Sequence, residues 1–265
     1  MNKFGRPCVC QGFFCMNHEL IRWVVAEANA HPLLNNLYFT ALREGQLDRE
    51  VFRETQQQFF FAVRYFSRPM AALTARMPSS ALRQGLIHNL SEEHGFEDGD
   101  EGEGSAGFDP RLAHDMSFQQ FLATLGVSRE EVRPLREGPA VRAFNTSLMG
   151  TCLMEPTEVA FGCLGVIEHT FADISALIGE QVVKQGWIAF EDLVHYKLHA
   201  EIDQRHAADF FQIVAGSWDR GGENRAAIQD GVKLGLHVFN RLYEDLLEEA
   251  QFTRPHEPAT AHAAA

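Results

Sequence analysis

No sustained apolar/polar alternation bounded by Asn-Gly or Asp-Gly turns occurs in this sequence, which excludes a chain built on β-sheet. No uninterrupted apolar run approaches the roughly 18 residues that a membrane-spanning helix needs. The first residues, Met1 to Arg6, do not lead into a signal-peptide apolar segment, so the expectation is a cytoplasmic protein without a membrane partner. A basic surplus is also missing. The formal net charge is -13, and nucleic-acid binding needs a basic face to neutralise phosphates, so no nucleic-acid partner is expected. Paired cysteines are lacking as well. The five thiols, Cys8, Cys10, Cys15, Cys152 and Cys163, are odd in number and argue against a disulfide framework. The run Cys8-x-Cys10-x4-Cys15 has no second paired set at zinc-finger spacing, and reads as incidental thiols on an N-terminal arm. There is no internal repeat and no linker that divides the chain.

What is present is helical. With 265 residues, 45% hydrophobic and 22% charged, the chain can bury one sizeable core. Its 21 phenylalanines make that core, or a pocket within it, rich in aromatic rings. Helical periodicity runs over residues 18–30, 32–43, 80–94, 114–125, 157–184, 188–214 and 222–250. Asp48 is placed to cap a long helix that reaches Arg76, with a kink at Pro69. Gly126 and Pro134 bracket a connection. Glu92 to Glu103 holds seven acids and no Lys or Arg, the mark of a solvated loop. The expected organisation is an N-terminal arm (1–17), one all-α bundle of about seven helices (18–252) with an acidic loop at 96–110, and a disordered tail (253–265).

The chemistry is concentrated in three segments. His199-x3-Asp203-x2-His206 places three ligand-type side chains at i, i+4 and i+7, within about 60° of one another on a helix. Ile202, Phe210 and Ile213 share that stripe, so the trio interrupts a face that should turn to the core. Buried, these groups need each other or a cation. His195 lies near the same stripe, and a supporting role suits it better than that of a ligand. Glu168 is a lone acid on an otherwise apolar face with Phe161, Leu164 and Ala172. The third segment is Asn89-Leu-x-x-Glu93-His94-Gly95, followed by His114 and Phe118-x2-Phe121-Leu122-x2-Leu125-Gly126. Three carboxylates and three imidazoles suit iron or manganese, and without a thiolate they give zinc no preference.

These motifs, in this order, resemble the haem-oxygenase-like diiron oxidases and oxygenases, iron-containing redox enzymes. Their fold is shared with thiaminase-type and pyrroloquinoline-quinone-synthase-type proteins. The resemblance spans about residues 33–250. It implies a haem-oxygenase-like bundle, two Fe(II) ions (or a manganese-containing pair) held by Glu93, His114, Glu168, His199, Asp203 and His206, and O2 as co-substrate. The implied reaction is N-oxygenation, oxidative C–C cleavage or desaturation of a small amino-acid-like or fatty-acid-like substrate in natural-product biosynthesis, by a homodimer. The sequence departs from the family pattern in two ways. An acidic insert separates Glu93 from His114, which leaves His88 and His94 open as alternatives. The stretch Arg64 to Arg68 lacks the carboxylate that some members carry. Phe59, Phe60, Phe61, Phe66 and Phe171 are the candidate lining of a substrate cavity. Lys197 and Arg205 turn away from the ligand stripe. The competing readings are a metal-free thiaminase-like or pyrroloquinoline-quinone-synthase-like enzyme, and a non-catalytic helical metal-binding or interaction protein.

Overall fold

The computed structural model describes residues 18–97 and 107–252. The three-cysteine cluster, the N-terminal arm, the tail and the centre of the acidic loop lie outside those residues. The chain forms α1 (His18–Ala30), α2 (Leu37–Arg43), α3 (Arg49–Arg76), α4 (Ser80–Glu93), α5 (His114–Thr124), α6 (Arg129–Val132), α7 (Pro139–Met154), α8 (Thr157–Lys184), α9 (Val194–Arg220) and α10 (Gly222–Phe252). Among the described residues ten helices thus stand where about seven were expected. Asn36 splits the expected 32–43 helix into a 3-10 turn (Pro32–Asn35) and α2, because its side chain accepts a hydrogen bond from the Phe39 N–H. Asp48 caps α3 by accepting from the Glu50 N–H at 2.7 Å. The helix continues through Pro69 to Arg76.

α6 falls within the connection expected between Gly126 and Pro134, and α7 lies where the sequence reading assigns no element. Pro139 occupies its first turn, where a missing N–H costs nothing. Ala140, Val141, Phe144, Leu148 and Cys152 recur at three- and four-residue spacing and are buried. α9 starts and ends later than the expected 188–214, after a 3-10 turn at Phe190–Asp192.

α8 is the axis of the bundle. It packs along α9 and α10, and burial continues around its circumference, from Val159 to Val182. This corrects the expectation about long apolar stretches: α8 is long and apolar enough to cross a membrane, with a mean hydropathy of 1.4 over its best window. That window is 78% buried inside the protein, so its apolarity serves the core. The approach of α10 to α8 is close enough to require glycine. A Cβ on Gly231 would meet the Val159 carbonyl oxygen at 2.1 Å, and one on Gly162 would meet the Ile228 carbonyl oxygen at 2.5 Å.

The loop that links α4 to α5 is anchored at its base. Gly95 ends α4 at φ 85°, and a Cβ there would strike the Asp109 carbonyl oxygen at 2.4 Å. Phe96 and Glu97 (β1) pair antiparallel with Phe108 and Gly107 (β2). This clasp returns the chain over the insert, so the first residue of α5 faces the last residue of α4.

Candidate metal centre

Four elements bring the six expected residues together inside the bundle. Glu93 ends α4, His114 begins α5, Glu168 sits mid-way along α8, and His199, Asp203 and His206 lie on α9. All six are buried, with at most 7% of any residue exposed. Glu93 Oε1 lies 2.9 Å from His114 Nδ1, and His199 Nδ1 lies 2.8 Å from Asp203 Oδ1. His206 Nδ1 is 3.7 Å from Glu168 Oε2 and 3.8 Å from Asp203 Oδ1. The ligand atoms of Glu168, Asp203 and His206 all fall within 4.8 Å of one another. The rings of His114 and His199 are edge to face at 4.3 Å. Neighbouring ligands at about 2.1 Å from a six-coordinate ion stand about 3 Å apart, so donors this close could share a cation after small shifts.

Unpartnered atoms point the same way. Glu168 Oε1, Asp203 Oδ2, His199 Nε2 and His206 Nδ1 are buried without a hydrogen-bond partner. An orphaned buried polar atom costs about 1–3 kcal/mol, and four in one cluster require a common explanation. Divalent cations would supply it, and the oxygen and imidazole donors fit iron or manganese. The described thiols, Cys152 and Cys163, are buried elsewhere in the core. Burial pushes the Cys152 thiol up to about 12.

Without cations, protons do the neutralising. Burial pushes the Glu168 carboxyl up to about 7 and holds that of Asp203 well above its ordinary value. Burial disfavours a charged His206, yet the nearby Glu168 carboxylate and the hydrogen bond with Glu92 outweigh it and push the imidazole up to about 11. Burial also opposes ionisation of Glu93 and His114, but their mutual attraction wins, lowering the acid and raising the base. His199 is held well below 6.5 by burial. Metal binding at such a site displaces protons.

The α4–α5 clasp places His114, rather than His88 or His94, beside Glu93. His94 is exposed at the C-terminus of α4, and His88 is about one-third exposed, 3.5 Å from Glu92. Glu92 itself is a residue that sequence reasoning missed. It accepts from His206 Nε2 at 2.8 Å and is gripped by Arg205. That bond commits Nε2 and leaves Nδ1 of a neutral His206 bare toward Glu168 and Asp203, a common way to orient a ligating imidazole. Arg205 is therefore a support of the site through Glu92, while Lys197 lies over the Phe190 ring.

A cavity of about 50 Å³ adjoins the cluster, lined by Glu93, His114, Glu168 and His199, with His195 and a largely aromatic wall. Phe59, Phe66 and Phe171 belong to that wall as expected, joined by Phe144 and Phe239. Phe60 and Phe61 do not reach it. Phe60 packs toward Phe118 and Phe61 lines a different pocket.

The tautomer of His195 follows from its partner. Ser117 donates its single hydroxyl proton to the His114 carbonyl at 3.0 Å, so it accepts from His195 Nδ1–H at 2.9 Å. Nε2 is then bare and unpartnered. Burial holds His195 well below its ordinary 6.5. A lowered imidazole contributes stability above the unfolded value that is lost as pH falls below it. Metal-free protein should therefore lose stability below pH 6.5 less steeply in His195→Phe than in wild type, by up to about 1.4 kcal/mol per pH unit. Urea unfolding at several pH values between 5 and 7 measures the difference, and parallel slopes would contradict it.

Residues 53–240 match the family described as iron-containing redox enzymes. The 4-aminobenzoate synthase of Chlamydia pneumoniae is 21% identical over 223 residues, covering 84% of this chain and 91% of that protein. The 4-aminobenzoate synthase of Chlamydia trachomatis is 22% identical, covering 68% and 72%. Among solved structures, a haem-oxygenase-like domain of unknown function from Shewanella denitrificans superposes with a TM-score of 0.69 at 14% identity, over 88% of this chain and 93% of that one. A TenA homologue from Pseudomonas syringae gives a TM-score of 0.65 at 16% identity, over 94% and 99%. These structural likenesses establish the fold as haem-oxygenase-like.

Proposed function

The chain belongs to the family of iron-containing redox enzymes, and on that premise we propose that it is an O2-dependent non-haem diiron oxidase or oxygenase of a small, largely apolar substrate. The observation that carries this reading is the convergence of six buried acids and imidazoles with four orphaned donor atoms. Glu93, His114, Glu168, His199, Asp203 and His206 would hold two Fe(II) ions, which when bound supply the electrons that reduce O2. The chain's own part is to position and exclude. Glu92 and Ser117 fix the orientations of His206 and His195. The phenylalanine wall keeps water from the reacting end.

That wall also selects the substrate. The cavity lining contains no Lys or Arg, so a carboxylate substrate has only the metal end at which to place its charge. A free amino acid would need a partner for its ammonium as well, and the remaining wall is phenylalanine, valine, isoleucine and alanine apart from His195. Of the two substrate classes implied by the resemblance, the fatty-acid-like one fits better. About 50 Å³ is well below the roughly 300 Å³ of an ordinary ligand site, so Phe side chains must move to admit it. The names of the chlamydial relatives support a second reading, formation of 4-aminobenzoate, at their coverage of the chain.

The test is O2 consumption by anaerobically Fe(II)-loaded protein with medium-chain fatty acids, amino acids and no addition, with product analysis that includes 4-aminobenzoate. Substrate-dependent uptake that scales with bound iron is expected. Uptake equal in iron-loaded and iron-free protein would sink the reading in favour of a metal-free enzyme. Iron binding without any uptake would leave a storage or scaffold protein.

A further inference from the structure

The chain carries 36 acidic and 23 basic side chains, and several of its arginines pair with carboxylates. Arg53 meets Glu50, Arg225 meets Glu19, and Arg241 meets Glu244 and Asp245. One pocket instead gathers four arginines around a single acid. It encloses about 300 Å³ between the middle of α3 and residues 135–142, and Arg64, Arg68, Arg136 and Arg142 stand around it. Its one acid, Glu137, is already engaged. Asn145 donates to Glu137 Oε1 at 2.6 Å, and Arg142 Nε lies 3.8 Å from Oε2. Among the described residues, Arg64, Arg68 and Arg136 have no carboxylate within ion-pair distance.

Two of these guanidinium groups lie over aromatic rings. That of Arg64 lies 5.4 Å from the centre of the Phe60 ring and 5.1 Å from that of Phe61, and that of Arg68 lies 5.1 Å from the centre of Tyr65. A cation–π contact consumes no hydrogen-bond donor that an anion could use. Four guanidiniums and one carboxylate leave this concavity net positive, which favours an anion there, the more so at low salt. We propose that this pocket binds a phosphate-bearing small molecule. Several forked donors match phosphate oxygens, and the concave shape suits a compact ligand better than a flat acidic protein surface. The site is separate from the metal centre. Phe59, Ala62, Val63 and Phe66 of α3 face the metal cavity, whereas Phe61, Arg64, Tyr65 and Arg68 face this pocket from the far side of the helix.

Calorimetric titration of phenyl phosphate and of inorganic phosphate into the iron-loaded protein tests the assignment. One saturable site per chain is expected, tighter for phenyl phosphate because Phe61 and Tyr65 form its wall. Arg64→Ala/Arg68→Ala should weaken binding by about tenfold or more, with iron content and melting temperature unchanged. Arg136→Ala/Arg142→Ala should weaken it independently. Absence of saturable binding, or equal affinity in wild type and both variants, would overturn the proposal. Binding of polyglutamate without binding of either phosphate would also overturn it, and would assign the patch to an acidic protein partner.

Discussion

Glu168→Leu should make the metal-free protein more stable and at the same time destroy its metal site. Glu168 is 4% exposed, one of its oxygens has no partner, and burial pushes its carboxyl up to about 7 from 4.5. Each pKa unit corresponds to about 1.4 kcal/mol, so holding this group ionised in the core costs roughly 3 kcal/mol. The sign follows from linkage. An acid raised in the folded state is a liability above its folded value, and the liability fades as pH falls toward the unfolded value of 4.5. The variant should therefore gain stability at pH 8, by less than roughly 3 kcal/mol because it also removes one of the carboxylates that hold the His206 proton, and little at pH 4.5. Its bound iron should drop by at least half, because Glu168 is one of the three donors in the tightest cluster. Paired calorimetric scans and iron assays check both halves. A variant that loses stability at pH 8 and keeps its iron would show Glu168 to be an ordinary core acid.

Gly231→Ala is expected to be the most damaging single-methyl substitution. The added Cβ would stand 2.1 Å from the Val159 carbonyl oxygen and 2.8 Å from the carbonyl carbon. Both are backbone atoms of α8 and cannot rotate away. Alanine is the better helix former by about 1 kcal/mol, but overpacking against a rigid wall costs about 3 kcal/mol or more. The net loss should lower the melting temperature by roughly 4–8 °C. Gly150→Ala provides the contrast. Nothing lies within 4 Å of its Cβ, so helix propensity alone should act and the midpoint should hold or rise. If both variants melted alike, the α8–α10 contact would be looser than described.

Why some of this was legible in the sequence and some was not has physical reasons. α3 has strong periodicity and α8 a long, largely apolar sequence; both have ends that suit the helix dipole, and their limits match the expectation. α7 buries residues at helical spacing, but several are small or polar, including Ala140, Asn145, Thr151 and Cys152. Gly150 weakens the pattern further. The site was visible on α9 because i, i+4, i+7 is a one-helix geometry. Glu92 was hidden because adjacent residues on a helix point about 100° apart, and only the tertiary arrangement tells which of Glu92 and Glu93 faces the cavity and which faces His206. The sequence reading assigns Glu93 to the metal site through the family resemblance and gives Glu92 no role. Phe144 and Phe239 were missed for a similar reason, since no local signal distinguishes a cavity wall from the core around it.

The central claim is that cations, rather than protons or chance, account for the convergence of these side chains. Crystals grown anaerobically with Fe(II) and measured across the iron absorption edge test it directly. The account predicts two anomalous peaks between the α4–α5 junction, α8 and α9, each about 2.0–2.2 Å from oxygen or nitrogen atoms of Glu93, His114, Glu168, His199, Asp203 and His206. Iron bound only at the protein surface, with those six side chains still clustered and iron-free, would contradict it.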